Sequence, residues 1–159
     1  MNDPAPAIEL RNSAQAQNSS DYEQDFMLWL ESQLDLLRAR KFEQLDLENI
    51  IEELDSMGRN DKRELQSRLE VLIAHLLKCQ CQPDKKSGSW IGTLNEQRSQ
   101  IKGLLDISPS LRRLAEESAV KRYPAAVSRA ASETGIDAAV FPSALPFTLE
   151  QLLDTGFIP

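Results

Sequence analysis

Apolar residues recur along this chain at steps of three and four, the mark of helices that bury one stripe. The first stripe, Phe26, Trp29, Leu30, Leu34 and Leu37, predicts an amphipathic helix ending near Ala39. Ser20 or Asp21 is its expected N-cap, with Glu23 and Gln24 close behind. After a connector from Arg40 to Gln44, Asp46 is expected to cap a second helix with Leu47, Ile50, Ile51, Leu54 and Met57 on its apolar face. Gly58 is read as breaking or capping that helix. The pattern restarts at Leu65, Leu69, Leu72, Ile73, Leu76 and Leu77, with Asn60 or Asp61 as the cap of a third helix. The alternative is one long helix carrying Gly58 inside it, at a cost of about 1 kcal/mol relative to Ala.

Pro83 ends this segment, and Asp84–Ser89 reads as a polar turn. Trp90, Ile91, Leu94, Ile101, Leu104 and Leu105 define the next helix, capped by Ser87 or Ser89. Ser108-Pro109 stops it, and Ser108 is the expected N-cap of a helix that begins with Pro109 in its first turn. Leu111, Leu114, Ala115, Ala119, Tyr123, Ala126 and Val127 carry that helix to about Thr134, where Gly135 supplies the C-cap. Pro124 lies inside it and is expected to kink or divide it, since proline removes a backbone donor. Beyond, Phe141, Leu145 and Phe147 read as anchors of an extended, proline-containing segment. Thr148 opens a short last helix with Leu149, Leu152 and Leu153 buried and Gly156 ending it. No strand-like alternation and no repeat is present, so the expected fold is an all-α bundle of about five helices. Residues 1–20, rich in Ala, Pro, Asn, Ser and Gln, lack a periodic pattern and read as a disordered tail before a single helical domain at 21–159.

Composition narrows the function classes. At 159 residues the chain can bury roughly 68–70% of its unfolded surface, so a core can form without metal or disulfides. A net charge of −7 argues against a dedicated nucleic-acid binder. No apolar run approaches the roughly 18 residues that span a bilayer. The N-terminus has neither a basic start nor an apolar h-region, so the expectation is a cytosolic protein without a membrane partner. Charge is uneven: residues 21–70 carry 14 acidic and 7 basic side chains, and residues 71–132 carry 10 basic and 5 acidic. A basic surface could meet phosphate, with Lys78, Lys85, Lys86, Arg98, Lys102, Arg112, Arg113, Lys121, Arg122 and Arg129 as its members. Solvated helix faces and mutual neutralisation of the two halves are the plainer reading. The two aromatics that would interleave, Trp90 and Tyr123, are expected in the core.

His75 and Cys79 are four apart and share a helix face, so both could reach one ion, with Cys81 nearby. A structural zinc site needs four ligands, and no second Cys or His pair is present. The Glu-x-x-His step of di-iron bundles is absent, because Leu72 stands three residues before His75. The plainer reading has His75 hydrogen-bonded inside the bundle and both thiols packed as small hydrophobes. Glu53, Arg68, His75 and Arg98 are a candidate polar network: a raised-pKa acid beside a histidine base, or a structural set of ion pairs. GSWIG lacks the spacing and the lysine of a phosphate loop, and no motif calls for a cofactor.

The segments YEQDFMLWLESQLDLLRARKFEQLDLENIIEELDSMGR, SRLEVLIAHLLK, SWIGTLNEQRSQI and SPSLRRL, with ETGI and PFTLEQLLDTGFIP at the end, resemble the bacterial family catalogued as domain of unknown function twenty-nine. The resemblance covers residues 21–159 and implies a mostly helical cytosolic domain without an established biochemical role. Relatives usually carry aromatic residues where Cys79 and Cys81 stand and have no equivalent of Pro124. A shared cysteine chemistry is therefore not implied. The leading expectation is a non-enzymatic helical module that binds a protein partner or a second copy of itself. The alternatives are an enzyme or metal site around Glu53 and His75, and a nucleic-acid-associated, antitoxin-like regulator.

Overall fold

The computed structural model describes residues 22–159. The expected tail and the Ser20/Asp21 cap lie outside the described residues. The fold is all-α, with no strand among those residues. After helical residues 22–24, four long helices and one short one follow in order: α1 (Phe26–Arg38), α2 (Leu47–Cys81), α3 (Gly88–Ile107), α4 (Leu111–Thr134) and α5 (Leu149–Leu153). Single 3-10 turns at Phe42–Gln44, Pro83–Lys85 and Ala138–Val140 fill the connections. Contacts divide the chain into two compact units, one ending at Gly58 and the other running from Arg59 to Pro159.

Where the local signals are strong, the helix ends sit at the expected residues. Ser87 accepts from the Trp90 N–H at the start of α3. Gly135 ends α4 at φ 73°, in the left-handed region glycine adopts without steric cost. Thr148 and Gln151 form a reciprocal capping box on α5.

Four local expectations are corrected, the first at the last helix, which ends at Leu153 with Asp154 as its C-cap and not at Gly156. Of the two readings of this segment the single long helix is the one found: α2 runs for 35 residues, so Gly58 neither breaks nor caps a helix and Asn60 and Asp61 cap nothing. Its interior hydrogen bonds outweigh the local cost of one glycine. Ser108 is the C-cap of α3, its N–H bonded to the Leu104 carbonyl, and α4 starts three residues later behind Ser110. Pro124 does not divide α4. Pro124 and Val120, whose carbonyl loses its i+4 donor, are both exposed, so water can take the donor's place.

The second unit holds the core. Twenty-one buried apolar residues form one cluster, drawn from the C-terminal part of α2, from α3, α4 and α5, and from Phe141 and Phe147. Leu65, Leu69, Leu72, Ile73, Leu76 and Leu77 are fully buried, the spacing expected of the helix face turned inward. The C-terminal segment is pinned as its apolar residues suggested: Phe141 and Phe147 are buried, and Leu145 packs against the cluster.

Candidate functional site

The first unit is a helical hairpin of α1 and the start of α2. Asp25 caps α1, accepting from the Leu28 N–H at 3.0 Å. At the other end, Arg40 adopts φ 56°. The Arg40 N–H bonds the Leu37 carbonyl and the Lys41 N–H bonds the Leu36 carbonyl, the paired geometry that usually places glycine in the left-handed position. The chain then turns through Phe42–Gln44 into Asp46.

Asp46 does more than precede α2. It is buried, and its Oδ2 accepts from the Trp29 indole N–H at 3.2 Å and from the Asn49 amide at 2.7 Å. Its own N–H donates to Gln33 Oε1 at 2.9 Å. Three side chains of two helices thus converge on one residue and lock the hairpin's angle. The Gln33 Nε2 is buried without a partner among the described atoms. Tyr22, Phe26 and Trp29 stack edge-on and face-on with centroids 4.9 to 5.9 Å apart. The Tyr22 hydroxyl donates to Glu53, and that bond to a carboxylate holds the phenol above its usual range.

Between the helices runs an apolar groove of about 450 Å³. Phe26, Leu30, Leu34 and Leu37 of α1 line it, together with Ile50, Leu54 and Met57 of α2. The buried Trp29 and Gln33 contribute to the lining, and Glu53 is its one ionisable residue. The walls are unusually bare. Phe26 is 42% exposed, Leu54 63% and Met57 64%. Ten of the fourteen exposed large hydrophobics among the described residues belong to this unit. Chemically the groove offers apolar contact and a carboxylate; nothing in it resembles a nucleophile or a set of metal ligands.

The four residues expected to form a polar network take separate partners. Glu53 accepts from Tyr22. Arg68 donates to Glu64 at 2.8 Å and to Gln97 at 3.3 Å. His75 Nδ1 lies 3.0 Å from the Val71 carbonyl, one turn back on its own helix. Arg98, fully buried, donates to the carbonyls of Leu152 and Phe157 at 2.8 and 2.6 Å. Burial pushes the Arg98 guanidinium below its ordinary range, with the Asp154 charge opposing that shift. Arg98 thus ties one carbonyl of α5 to one in the segment that follows it.

Sequence reading missed a different network in the second unit. Lys78, 5% exposed, sits 2.6 Å from Glu133 and 4.4 Å from the Trp90 ring centroid. Glu133 also meets Arg129, and Glu70 meets both Arg129 and Arg122. The Lys78 hydrogen bond holds the Glu133 carboxyl below the usual carboxylate range. Apart from the i,i+4 pair of Arg129 and Glu133, the partners lie on different helices, and no spacing in the sequence announces them.

Six of the ten cations offered as a phosphate-binding surface have protein partners: Lys78, Arg98, Arg112, Arg113, Arg122 and Arg129. The two aromatics are packed as expected. Trp90 lies beneath Lys78, and the buried Tyr123 hydrogen-bonds the Pro142 carbonyl at 2.7 Å. Burial pushes the Cys79 thiol up and lowers His75. Among the described residues no group of three or more His, Cys, Asp or Glu could hold a metal ion.

The model of the family described as Domain of unknown function DUF29 matches residues 22–158. The chain belongs to this family. No curated protein and no solved structure matches it. The DUF29 match includes both units, so the groove-bearing hairpin is part of the family's domain. No described helix of this DUF29 chain is long and apolar enough to cross a membrane.

Proposed function

We propose that this DUF29 chain is a non-enzymatic, cytosolic protein-interaction module whose binding element is the apolar groove of the first unit. One observation carries the reading: ten large apolar side chains of a 37-residue hairpin are exposed, five of them (Phe26, Leu34, Leu37, Leu54 and Met57) in the walls of the groove, while only Trp29 and Leu45 of its apolar residues are buried. An exposed apolar face of this kind is characteristic of an interaction surface. Two helices cannot bury each other's stripes completely, and a bundle completes itself with further helices. The ion pairs made by Lys78, Arg112, Arg113, Arg122 and Arg129 weigh against a phosphate-binding role for the second unit.

The test is affinity capture of the tagged full chain from its native cytosol, beside a Leu34→Asp/Leu54→Asp double variant and a Val120→Asp control. Wild type and control are expected to retain the same stoichiometric protein, or a second copy of the chain, and the double variant to lose it. The double variant should melt like wild type, since both positions are exposed. Retention by all three overturns the reading. So does a strict monomer that captures nothing.

A further inference from the structure

One face of the first unit carries both a hollow and the side chains to fill another. The hollow is the groove of about 450 Å³, and Phe26, Leu34, Leu37, Leu54 and Met57 stand exposed in its walls. A two-fold interface uses one patch twice, so that patch must hold knobs and holes together. The five wall residues present on the order of 500 Å² per copy, so two copies hide about 1,000 Å² before backbone and polar neighbours count, the least a specific interface buries. Helix number agrees. One hairpin supplies two helices, and two hairpins supply the four that close a bundle.

The polar groups of the groove are self-complementary as well. Gln33 of α1 lines it, and its buried Nε2 has no partner among the described residues. Glu53 of α2 lines it too, and a carboxylate accepts several hydrogen bonds, of which Tyr22 supplies one. Gln33 stands five residues before the end of α1 at Arg38, and Glu53 six residues after the start of α2 at Leu47. At 1.5 Å per residue both lie roughly 8–9 Å from the turn end of the hairpin. A two-fold axis along the hairpin keeps that level and lays each α1 over the other copy's α2. The unpaired donor Gln33 of each copy then faces the acceptor Glu53 of the other.

We infer that the groove takes a second copy of this chain, the two hairpins closing a four-helix bundle across that axis. This rests on the interaction reading above and names the partner. An interface of this area is at the weak end, so half-dimerisation is expected at about 10–100 µM and the copies are separate in dilute solution. Charge gives the pair a signature. Residues 22–58 contain ten carboxylates and three cations, so two such units repel at long range, and the dimer tightens as salt screens them.

The test is sedimentation of the full chain from about 1 to 300 µM, at about 0.1 M and 1 M salt, with oxidative footprinting of the methionines in the same samples. Wild type and Val120→Asp are expected to pass from monomer to dimer, at severalfold lower concentration in the higher salt. Leu54→Asp should raise the midpoint at least about tenfold, because a carboxylate would be buried without a partner, and should melt like wild type in dilute solution. Met57 in the groove and Met27 outside its lining are 64% and 60% exposed, so they start alike. On dimerisation Met57 should lose reactivity severalfold while Met27 keeps its own. A dimer that survives Leu54→Asp, or that leaves Met57 as reactive as Met27, has its interface elsewhere and overturns the inference. A dimer weakened by salt is held by ion pairs instead of the apolar face and overturns it too. So does a chain that stays monomeric throughout. If that monomer captures a different protein through Leu54, the interaction reading stands without the inference. A monomer that binds phosphatidylcholine vesicles through Leu54, or that captures nothing at all, removes the interaction reading as well.

Discussion

The two units of this chain use the same device, an apolar stripe at helical spacing, with opposite outcomes. In the second unit the stripe of α2 meets three further helices, and 21 apolar residues disappear from solvent. In the first unit the stripes of α1 and of the start of α2 line an open groove, and ten large apolar side chains stay exposed. The sum of charge differs as well, strongly acidic in the first unit and slightly basic in the second. Periodicity therefore identifies a face that seeks cover, while the number of helices available decides whether cover is found within the chain. What holds the first unit together is correspondingly polar: a buried aspartate gripped by Trp29, Asn49 and Gln33.

The sharpest way to break that comparison is paired truncation. Leu72→Ala, in the fully packed part of α2, is expected to cost about 2–5 kcal/mol in denaturant unfolding. Leu54→Ala on the same helix should cost no more than about 0.5 kcal/mol. Equal losses would mean that the first unit's face is covered. Next comes Arg98→Met, which removes the donor to two carbonyls near α5 and is expected to cost roughly 1–3 kcal/mol. Its loss should appear as faster amide exchange in 149–157 while α1 is unaffected.

Smaller gains are expected in and beside the hairpin. Gly58→Ala, whose added methyl meets nothing within 4 Å, should stabilise α2 by about 1 kcal/mol. Arg40→Gly relieves a left-handed backbone and should add up to about 1 kcal/mol, read as slower exchange of the hairpin amides. The smallest effect is acid sensitivity of the second unit. The half-buried His75 is lowered by burial, so folding disfavours its protonation. Its contribution is fully present above the unfolded value and is lost as pH falls below about 6.5. Glu133, lowered by Lys78, adds a loss of the same sign further down, through the carboxylate range. Thermal melts from pH 7 to 5 should fall less steeply for His75→Leu than for wild type.

Much of the helical pattern was legible in the sequence. Ser87, Gly135 and Thr148 sit at helix ends because capping depends on residues within one turn. Asp46 was read as a cap, yet its importance lies in Trp29 and Gln33, 17 and 13 residues away. His75 was readable as a satisfied histidine, since its partner is one turn back on the same helix. The polar network was not readable: Lys78 and Glu133 lie 55 residues apart, and Arg98 reaches the Leu152 carbonyl across 54.

By itself the sequence determined an all-α chain, the faces of its helices and most of their ends, because all three follow from interactions between residues a turn or two apart. Tertiary structure alone decided that α2 passes through Gly58, that Arg98 is buried while Leu54 is not, and that the groove between α1 and α2 stays open. Those outcomes depend on which helix faces meet which, and no local spacing encodes that.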